Sequence, residues 1–180
     1  KLHSSAGANG DLFLNANTDG VAAVGGSLSI TAKSGNITQS LPVTVGTTSS
    51  FTTTANNTTI TLSNTSNAFT GALTITTNDD SNDRSYATID GGTTALIIAT
   101  STIDGNLTLT SGHASGITDT GNVTVAGNLI ATTDANSGVI DMGTLRVDGT
   151  MALTTDGDGD ATVVNDTQID FANSTVRGDL

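Results

Sequence analysis

Residues 105–148 read GNLTLTSGHASGITDTGNVTVA, followed by GNLIATTDANSGVIDMGTLRVD. The two lines have the same length, and each contains three short stretches in which apolar residues alternate with polar ones. Alternation at i and i+2 places the apolar side chains on one side of a strand. A period of about 22 residues lies in the range of stacked repeat folds. The sequence therefore predicts two successive turns of three strands each.

The opening of each line, Gly-x-Leu-x-(Leu/Ile), recurs along the chain. It begins at Gly10, Gly26, Gly71 and Gly105, and more loosely at Gly127 and Gly149. One such turn cannot bury its apolar side alone and must stack on the next copy. We therefore predict a parallel β-helix of roughly eight turns, right-handed because parallel crossovers favour that hand. One apolar column is expected to contain Leu12, Leu28, Leu73, Leu107, Leu129 and Met151.

Composition supports an all-β fold. Thr, Val and Ile favour strands because a branched Cβ packs well on a pleated surface. All 17 acidic residues are Asp, which belongs in turns rather than in helix interiors. No Pro- or Ser-rich linker divides the chain, so residues 1–180 are predicted to form a single β-helix segment. Because both ends fall inside repeat units, we expect a piece of a much longer repetitive exoprotein.

The charge of the chain excludes several classes of partner. The net charge is −12, with five basic residues. Nucleic-acid backbones and anionic membrane surfaces both require clustered Lys and Arg, so neither is an expected partner. The sequence has no Cys, and therefore no disulfide or thiolate metal site. It contains no apolar run long enough to insert into a membrane.

Two stretches depart from the regular pattern. Residues 77–92, TNDDSNDRSYATIDGG, are the most polar part of the chain and predict a loop that projects from the rod. Loops on a rigid scaffold commonly carry binding, so the candidate binding residues there are Asp79, Asp80, Asp83 and Arg84. The last turn is also expected to be enlarged, with TDGDGD at 155–160 as its insertion.

Alternating carboxylates in that insertion suggest calcium. Asp156, Asp158 and Asp160 could supply several of the six to eight oxygens that calcium prefers. The EF-hand pattern, however, needs Gly at its sixth position and Glu at its twelfth, where this chain has Ala161 and Thr167. A solvated turn is the favoured interpretation, and a structural calcium site is the alternative. No other cofactor is expected.

Arg177, Gly178 and Asp179 spell the Arg-Gly-Asp tripeptide that integrins recognise. Gly178 and Asp179 are also in frame with Gly10 and Asp11, so the repeat explains two of the three residues. An adhesive role for the tripeptide is therefore the weaker of two interpretations, since a short motif needs its structural context.

Catalysis is not expected. His3 and His113 are isolated, and a nucleophile–base pair or metal cluster needs partners within reach. Ice binding would need Thr at regular positions on every turn of one face, and the Thr positions do not look in register in the sequence. Thr is therefore interpreted as a strand former.

Residues 60–64, ITLSN, and 67–75, NAFTGALTI, resemble the NxFxGxVxL turn of filamentous-haemagglutinin-type adhesins. The lines at 105–148 are similar to the β-helical shaft repeats of that family. The resemblance implies an exoprotein of Gram-negative bacteria, exported by two-partner secretion and located at the outer-membrane surface. It also implies a rigid adhesin shaft that serves attachment, biofilm formation or cell–cell aggregation. Binding of host or bacterial glycans, proteins or matrix polysaccharide would lie in other regions.

Two alternatives stay open. A structural fibre or surface-layer protein would polymerise end to end, because open strand edges pair if they are uncapped. A polysaccharide-active β-helix enzyme would need an Asp pair at a sugar-binding groove. The scarcity of basic and aromatic residues counts against the enzyme.

Overall fold

All regular structure in the part of the chain that the structure describes is β-strand. The computed structural model describes residues 3–6, 11–15, 22–80 and 85–180. Within these ranges there is no helix that could cross a membrane. The strands are β1 (His3–Ala6), β2 (Leu12–Asn15), β3 (Ala22–Val24), β4 (Leu28–Ala32), β5 (Ile37–Gln39), β6 (Val43–Val45), β7 (Ser49–Thr53), β8 (Ile60–Leu62), β9 (Ala68–Phe69), β10 (Leu73–Thr76), β11 (Ala87–Asp90), β12 (Leu96–Ile98), β13 (Ser101–Ile103), β14 (Leu107–Ser111), β15 (Ile117–Asp119), β16 (Val123–Val125), β17 (Leu129–Thr133), β18 (Ile140–Val147), β19 (Met151–Thr154) and β20 (Ala161–Asn165).

Each turn contributes strands to three faces. The first face is a sheet in which β2, β5, β8, β11, β14, β17 and β19 follow one another, every neighbouring pair parallel. The chain is therefore a parallel β-solenoid of about six turns, with about 22 residues and three strands per turn. The predicted fold class is confirmed, but eight turns was too many. Paired first-face residues early in the chain, such as Ile60 and Ala87, lie more than 22 residues apart.

The second face contains β4, β7, β10, β13, β16 and the end of β18, again in parallel. The third face begins as a separate sheet of β3, β6 and β9. In later turns β12, β15, the start of β18 and β20 take the same place in the order of strands, and β12 also pairs with β10 through Ile98 and Leu73. The long strand β18 belongs to both faces, because Ile140 pairs with Ile117 whereas Leu145 pairs with Val123. One antiparallel pair, β1 with β2, lies at the start of the first face.

The faces enclose one apolar core that runs along the solenoid. Leu107, Leu129 and Met151 are partners in successive turns and are 0% exposed. Full burial of such a side chain contributes about 1.5–3 kcal/mol relative to leaving it in water. Each turn thus obtains its stability from its neighbours, as in other repeat folds. Phe51 and Phe69 add an edge-to-face contact, with ring centroids 6.1 Å apart.

The corners between strands depend on particular residues. Gly116 has φ of 59°, and a β-carbon there would overlap the backbone of Val139 in the next turn. Only glycine meets both requirements. At another corner, Asn106 Oδ1 accepts the Asn128 N–H at 2.8 Å, and Asn128 Oδ1 accepts the Thr150 N–H at 2.8 Å. These amides form a hydrogen-bonded ladder that fixes the register of the turns.

The single leucine column predicted from the repeated phrase is wrong. Leu107, Leu129 and Met151 share a column on the first face, but Leu28 and Leu73 lie on the second face. The phrase therefore opens strands on two different faces. The 34 residues that separate Leu73 from Leu107 are not a multiple of the 22-residue turn, and this offset accounts for the change of face.

Thr residues are in register, contrary to the expectation from sequence. Thr31, Thr52, Thr76, Thr102 and Thr124 are successive partners on the second face. The steps between them are 21, 24, 26 and 22 residues, because the connections differ in length from turn to turn. Because the spacing is not constant, the sequence alone does not reveal this column.

The loop predicted at 77–92 is shorter in the structure. Ala87–Asp90 forms strand β11, and Ile89 within it is 0% exposed in the core. The polar connection between β10 and β11 is therefore confined to 77–86. Tyr86, at its end, is exposed. Because many polar residues precede β11, the sequence did not indicate this strand, although its inward residues are apolar.

The insertion predicted at 155–160 is also absent. Met151 pairs with Leu129 at the strand before this corner, and Ala161 pairs with Ile140 at the strand after it. The acidic sequence therefore occupies the same corner as the connection between β17 and β18 one turn earlier. This corner is therefore of ordinary length.

Candidate functional site

The 77–86 connection is closed at its base by hydrogen bonds. Thr77 Oγ1 donates to the Ser85 carbonyl at 2.8 Å, and both residues are buried. Ser85 Oγ in turn accepts a backbone N–H from the preceding turn at 3.2 Å. The base is thus anchored to the solenoid. Asp83 and Arg84, two of the predicted binding residues, lie outside the described residues.

The other two predicted binding residues contact neighbouring turns. The Asp79 N–H donates to Asp104 Oδ2 at 3.0 Å. The Asp80 N–H donates to Asn56 Oδ1 at 3.3 Å, and Asn78 Nδ2 donates to the same oxygen at 3.0 Å. The structure therefore brings Asp79 and Asp80 to one polar surface with Asn56 and Asp104. Binding at this loop stays a prediction.

The three Asp residues of the suggested calcium site lie at an exposed corner. The Asp158 N–H donates to Ser137 Oγ at 3.2 Å. Asp160 Oδ1 accepts the Asp179 N–H at 2.7 Å, which directs this carboxylate to the backbone of the next turn. Among the described residues, no three His, Cys, Asp or Glu side chains are grouped so that they could hold a metal ion. Calcium binding by Asp156, Asp158 and Asp160 stays a prediction.

The Arg-Gly-Asp tripeptide is stacked on the preceding turn. The Arg177 N–H donates to Thr155 Oγ1 at 3.0 Å, and the Gly178 N–H donates to the Gly159 carbonyl at 3.0 Å. The Asp179 carbonyl accepts a bond from the first residue of β20 at 2.8 Å. The tripeptide backbone is thus part of the solenoid ladder, while residues 177–179 are solvent-exposed. An adhesive role for them stays a prediction.

The structure also contains a groove that no motif in the sequence predicts. Three open clefts of about 290, 200 and 380 Å³ follow the corner between the first and third faces. The first two share Thr93, and the last two share Asp134, so they adjoin. Phe69 and His113 line one end of the groove, and Arg177 lines the other.

Asp90 lines the middle of this groove together with Asp134. Burial raises the pKa of Asp90 above its usual value, and the negative charge of Asp134 acts in the same direction. The Gly92 N–H, which donates to Asp90 Oδ1 at 2.7 Å, opposes the shift. These carboxylates can accept hydrogen bonds from hydroxyl or amine groups in the groove. Asp90 belongs to the polar stretch that was predicted to be a loop, whereas it lies in β11 and pairs in register with Thr110.

These features define a parallel β-solenoid repeat protein. A family model described as "Repeats of unknown function (DUF5649)" matches residues 7–76, and the chain is similar to that family over this segment. The match ends at the last residue of β10, directly before the 77–86 connection. No curated protein and no solved structure matches the chain significantly.

Proposed function

We propose that the chain is a rigid β-helical shaft segment of a secreted bacterial cell-surface adhesin. The observation that supports this proposal is the continuity of the solenoid. The first face stays parallel and in register from β2 to β19, and one apolar core runs beneath it. A repeat array whose turns contact mainly their neighbours forms an extended body of defined length. Such a body is suited to carrying binding regions away from the cell.

The surface is consistent with a spacer that leaves binding to its insertions. The outward residues of the strands are mostly Ser and Thr. The connection at 77–86 is the longest between consecutive strands from β3 to β20. Loops positioned by a rigid scaffold commonly carry recognition. We assign contacts with glycans, proteins or matrix polysaccharide to this loop and to regions beyond the segment. The expected location is the outer-membrane surface.

The test uses the full-length protein on its own cells. Deletion of residues 105–126 removes one turn and joins two equivalent corners, so the rod should shorten by about 4.8 Å and attachment should persist. Leu109→Pro places a residue without an N–H in the middle of a first-face strand and should disrupt the rod and abolish attachment. An antibody to the segment should label intact cells. Unlabelled cells, or normal attachment by the Leu109→Pro variant, would sink the proposal.

A second candidate is a fibre that polymerises end to end. Four of the exposed large apolar side chains lie in the last 17 residues, namely Val164, Ile169, Phe171 and Leu180. Three of them border an open cleft of about 300 Å³. Sedimentation of the isolated chain over a range of concentrations distinguishes the two candidates. Filaments that grow with concentration and disappear in an Ile169→Asp variant favour the fibre, and a monomer at all concentrations favours the shaft.

A further inference from the structure

The second face carries an ordered array of hydroxyl groups, here called the hydroxyl face. Its residues are Ser29, Thr31, Ser50, Thr52, Thr74, Thr76, Thr102 and Thr124. They form two columns. One column joins Ser29, Ser50 and Thr74 in three successive turns. The other is the Thr column that runs through five successive turns from β4 to β16.

The array faces away from the core and is open to solvent. In β7, for example, buried residues alternate with Ser50 and Thr52, which are partly exposed. No hydrogen bond joins any of the eight hydroxyls to another described residue. The array is also uncharged, and the first charged residue in the long column is Arg146, opposite Thr124. The hydroxyls are therefore free to bond to an external partner.

The spacing of the array is fixed by the backbone. Parallel neighbours stand about 4.8 Å apart, and residues i and i+2 of one strand stand about 6.7 Å apart. Thr has a stiff χ1, because two heavy atoms are attached to its Cβ. Along the Thr column, each turn therefore presents a methyl group and a hydroxyl at nearly the same place. The result is a preorganised two-dimensional lattice, which reduces the ordering cost of binding.

A two-dimensional lattice of uncharged hydroxyls fits a partner that is itself periodic in two dimensions. The step of about 4.8 Å along a column is close to the shortest lattice repeat of the oxygen atoms in hexagonal ice. Hydroxyls can both donate to and accept from lattice water, while the methyl groups bury apolar surface. A charged ligand would find no counter-charge here, and a sugar chain would find no aromatic ring to stack on.

We infer that the hydroxyl face binds the surface of ice. This inference does not depend on the proposed shaft function, since any stacked solenoid with this register would present the same array. It reverses the expectation from sequence, which rested on Thr positions that looked out of register.

The test measures thermal hysteresis and the shape of single ice crystals in solutions of the purified chain. We expect the wild-type chain to produce both effects. Thr76→Tyr and Thr52→Tyr insert large side chains into the middle of the hydroxyl face and should abolish thermal hysteresis. Thr118→Tyr is the matched control, because Thr118 is a partly exposed strand Thr on the third face whose partners are Ile97 and Asp141, so it belongs to no Thr column. Circular dichroism verifies that each variant keeps its β structure.

Retained hysteresis in Thr118→Tyr together with its loss in either folded hydroxyl-face variant supports the inference. Two results overturn it. One is a folded wild-type chain that neither depresses the freezing point below the melting point nor shapes ice crystals. The other is equal loss in the folded control, which would show that this face is not the binding surface.

Discussion

Asn67 is the side chain whose loss should reveal how polar contacts hold neighbouring turns together. It is 2% exposed. Its Nδ2 donates to the Leu62 carbonyl at 3.1 Å and to the Asp90 carbonyl at 3.0 Å, and its Oδ1 accepts the Val43 N–H at 2.9 Å. It also exchanges two bonds with the Gln39 amide, at 2.7 and 3.0 Å. One buried amide therefore connects three successive turns.

Asn67→Ala should reduce the free energy of unfolding by about 3–5 kcal/mol, because a buried group left without its partner costs about 1–3 kcal/mol. The N–H of Val43 and two carbonyls lose their partner, whereas Gln39 is partly exposed and can turn to water. Asn67→Asp keeps the acceptor for Val43 but places a carboxylate oxygen against two carbonyls. It should be at least as destabilising at neutral pH.

Urea unfolding followed by circular dichroism measures these changes. The matched control is Asn122→Ala, because Asn122 is exposed at another corner and should change stability by less than about 0.5 kcal/mol. A loss for Asn67→Ala as small as that of the control would refute the argument that this amide holds the turns together. A folded Asn67→Asp variant as stable as the wild type at pH 7 would refute it as well.

Two further predictions concern the corners and the groove. Gly116→Ala should lower the free energy of unfolding by more than about 2 kcal/mol, because φ is positive there and the next turn leaves no space for a β-carbon. The control Gly143→Ala should lower it by less than about 1 kcal/mol, because nothing lies within 4 Å of a β-carbon at that position. Equal melting temperatures of the two variants would contradict this prediction. Because folding raises the pKa of Asp90, the native state loses stability as the pH rises from below 3.8 through the folded-state pKa. Asp90→Asn keeps the acceptor for Gly92 and should be more stable than wild type at pH 7 by less than about 1 kcal/mol, since the side chain is only partly buried and solvent screens its charge. The gain should vanish at pH 3, and a gain that persists there would have another cause.

The strands of residues 105–148 could be predicted from sequence because their pattern is local. Leu107 and Leu109 alternate with Thr108 and Thr110, and the alternation alone tells which side chains face the core. By contrast, the face of the solenoid on which a strand lies does not depend on its local sequence. Leu28 and Leu107 open the same phrase, yet they lie on different faces because the intervening connections differ in length.

The groove and the hydroxyl face depend on the same non-local information. Asp90 and Asp134 are 44 residues apart in the sequence and face one cleft only after two turns have been stacked. Thr76 and Thr102 are partners although the 77–86 connection lies between them, and no pattern in the sequence predicts the length of that connection. In both cases the number of residues in each turn cannot be read from the sequence. It becomes known only from the backbone pairing of the strands.

The most direct test of the in-register stacking joins Thr76 to Thr102 covalently. The chain has no Cys, so engineered cysteines are the only thiols. Partners in parallel neighbours have Cα atoms about 4.8 Å apart, within the roughly 4.4–6.8 Å that a disulfide spans. In the Thr76→Cys/Thr102→Cys variant we predict an intramolecular disulfide under mild oxidation, detected by mass spectrometry. In the Thr76→Cys/Thr124→Cys control the positions are two turns apart, about 10 Å, and no intramolecular bond should form. A bond in the control but not in the test pair would contradict the stacking.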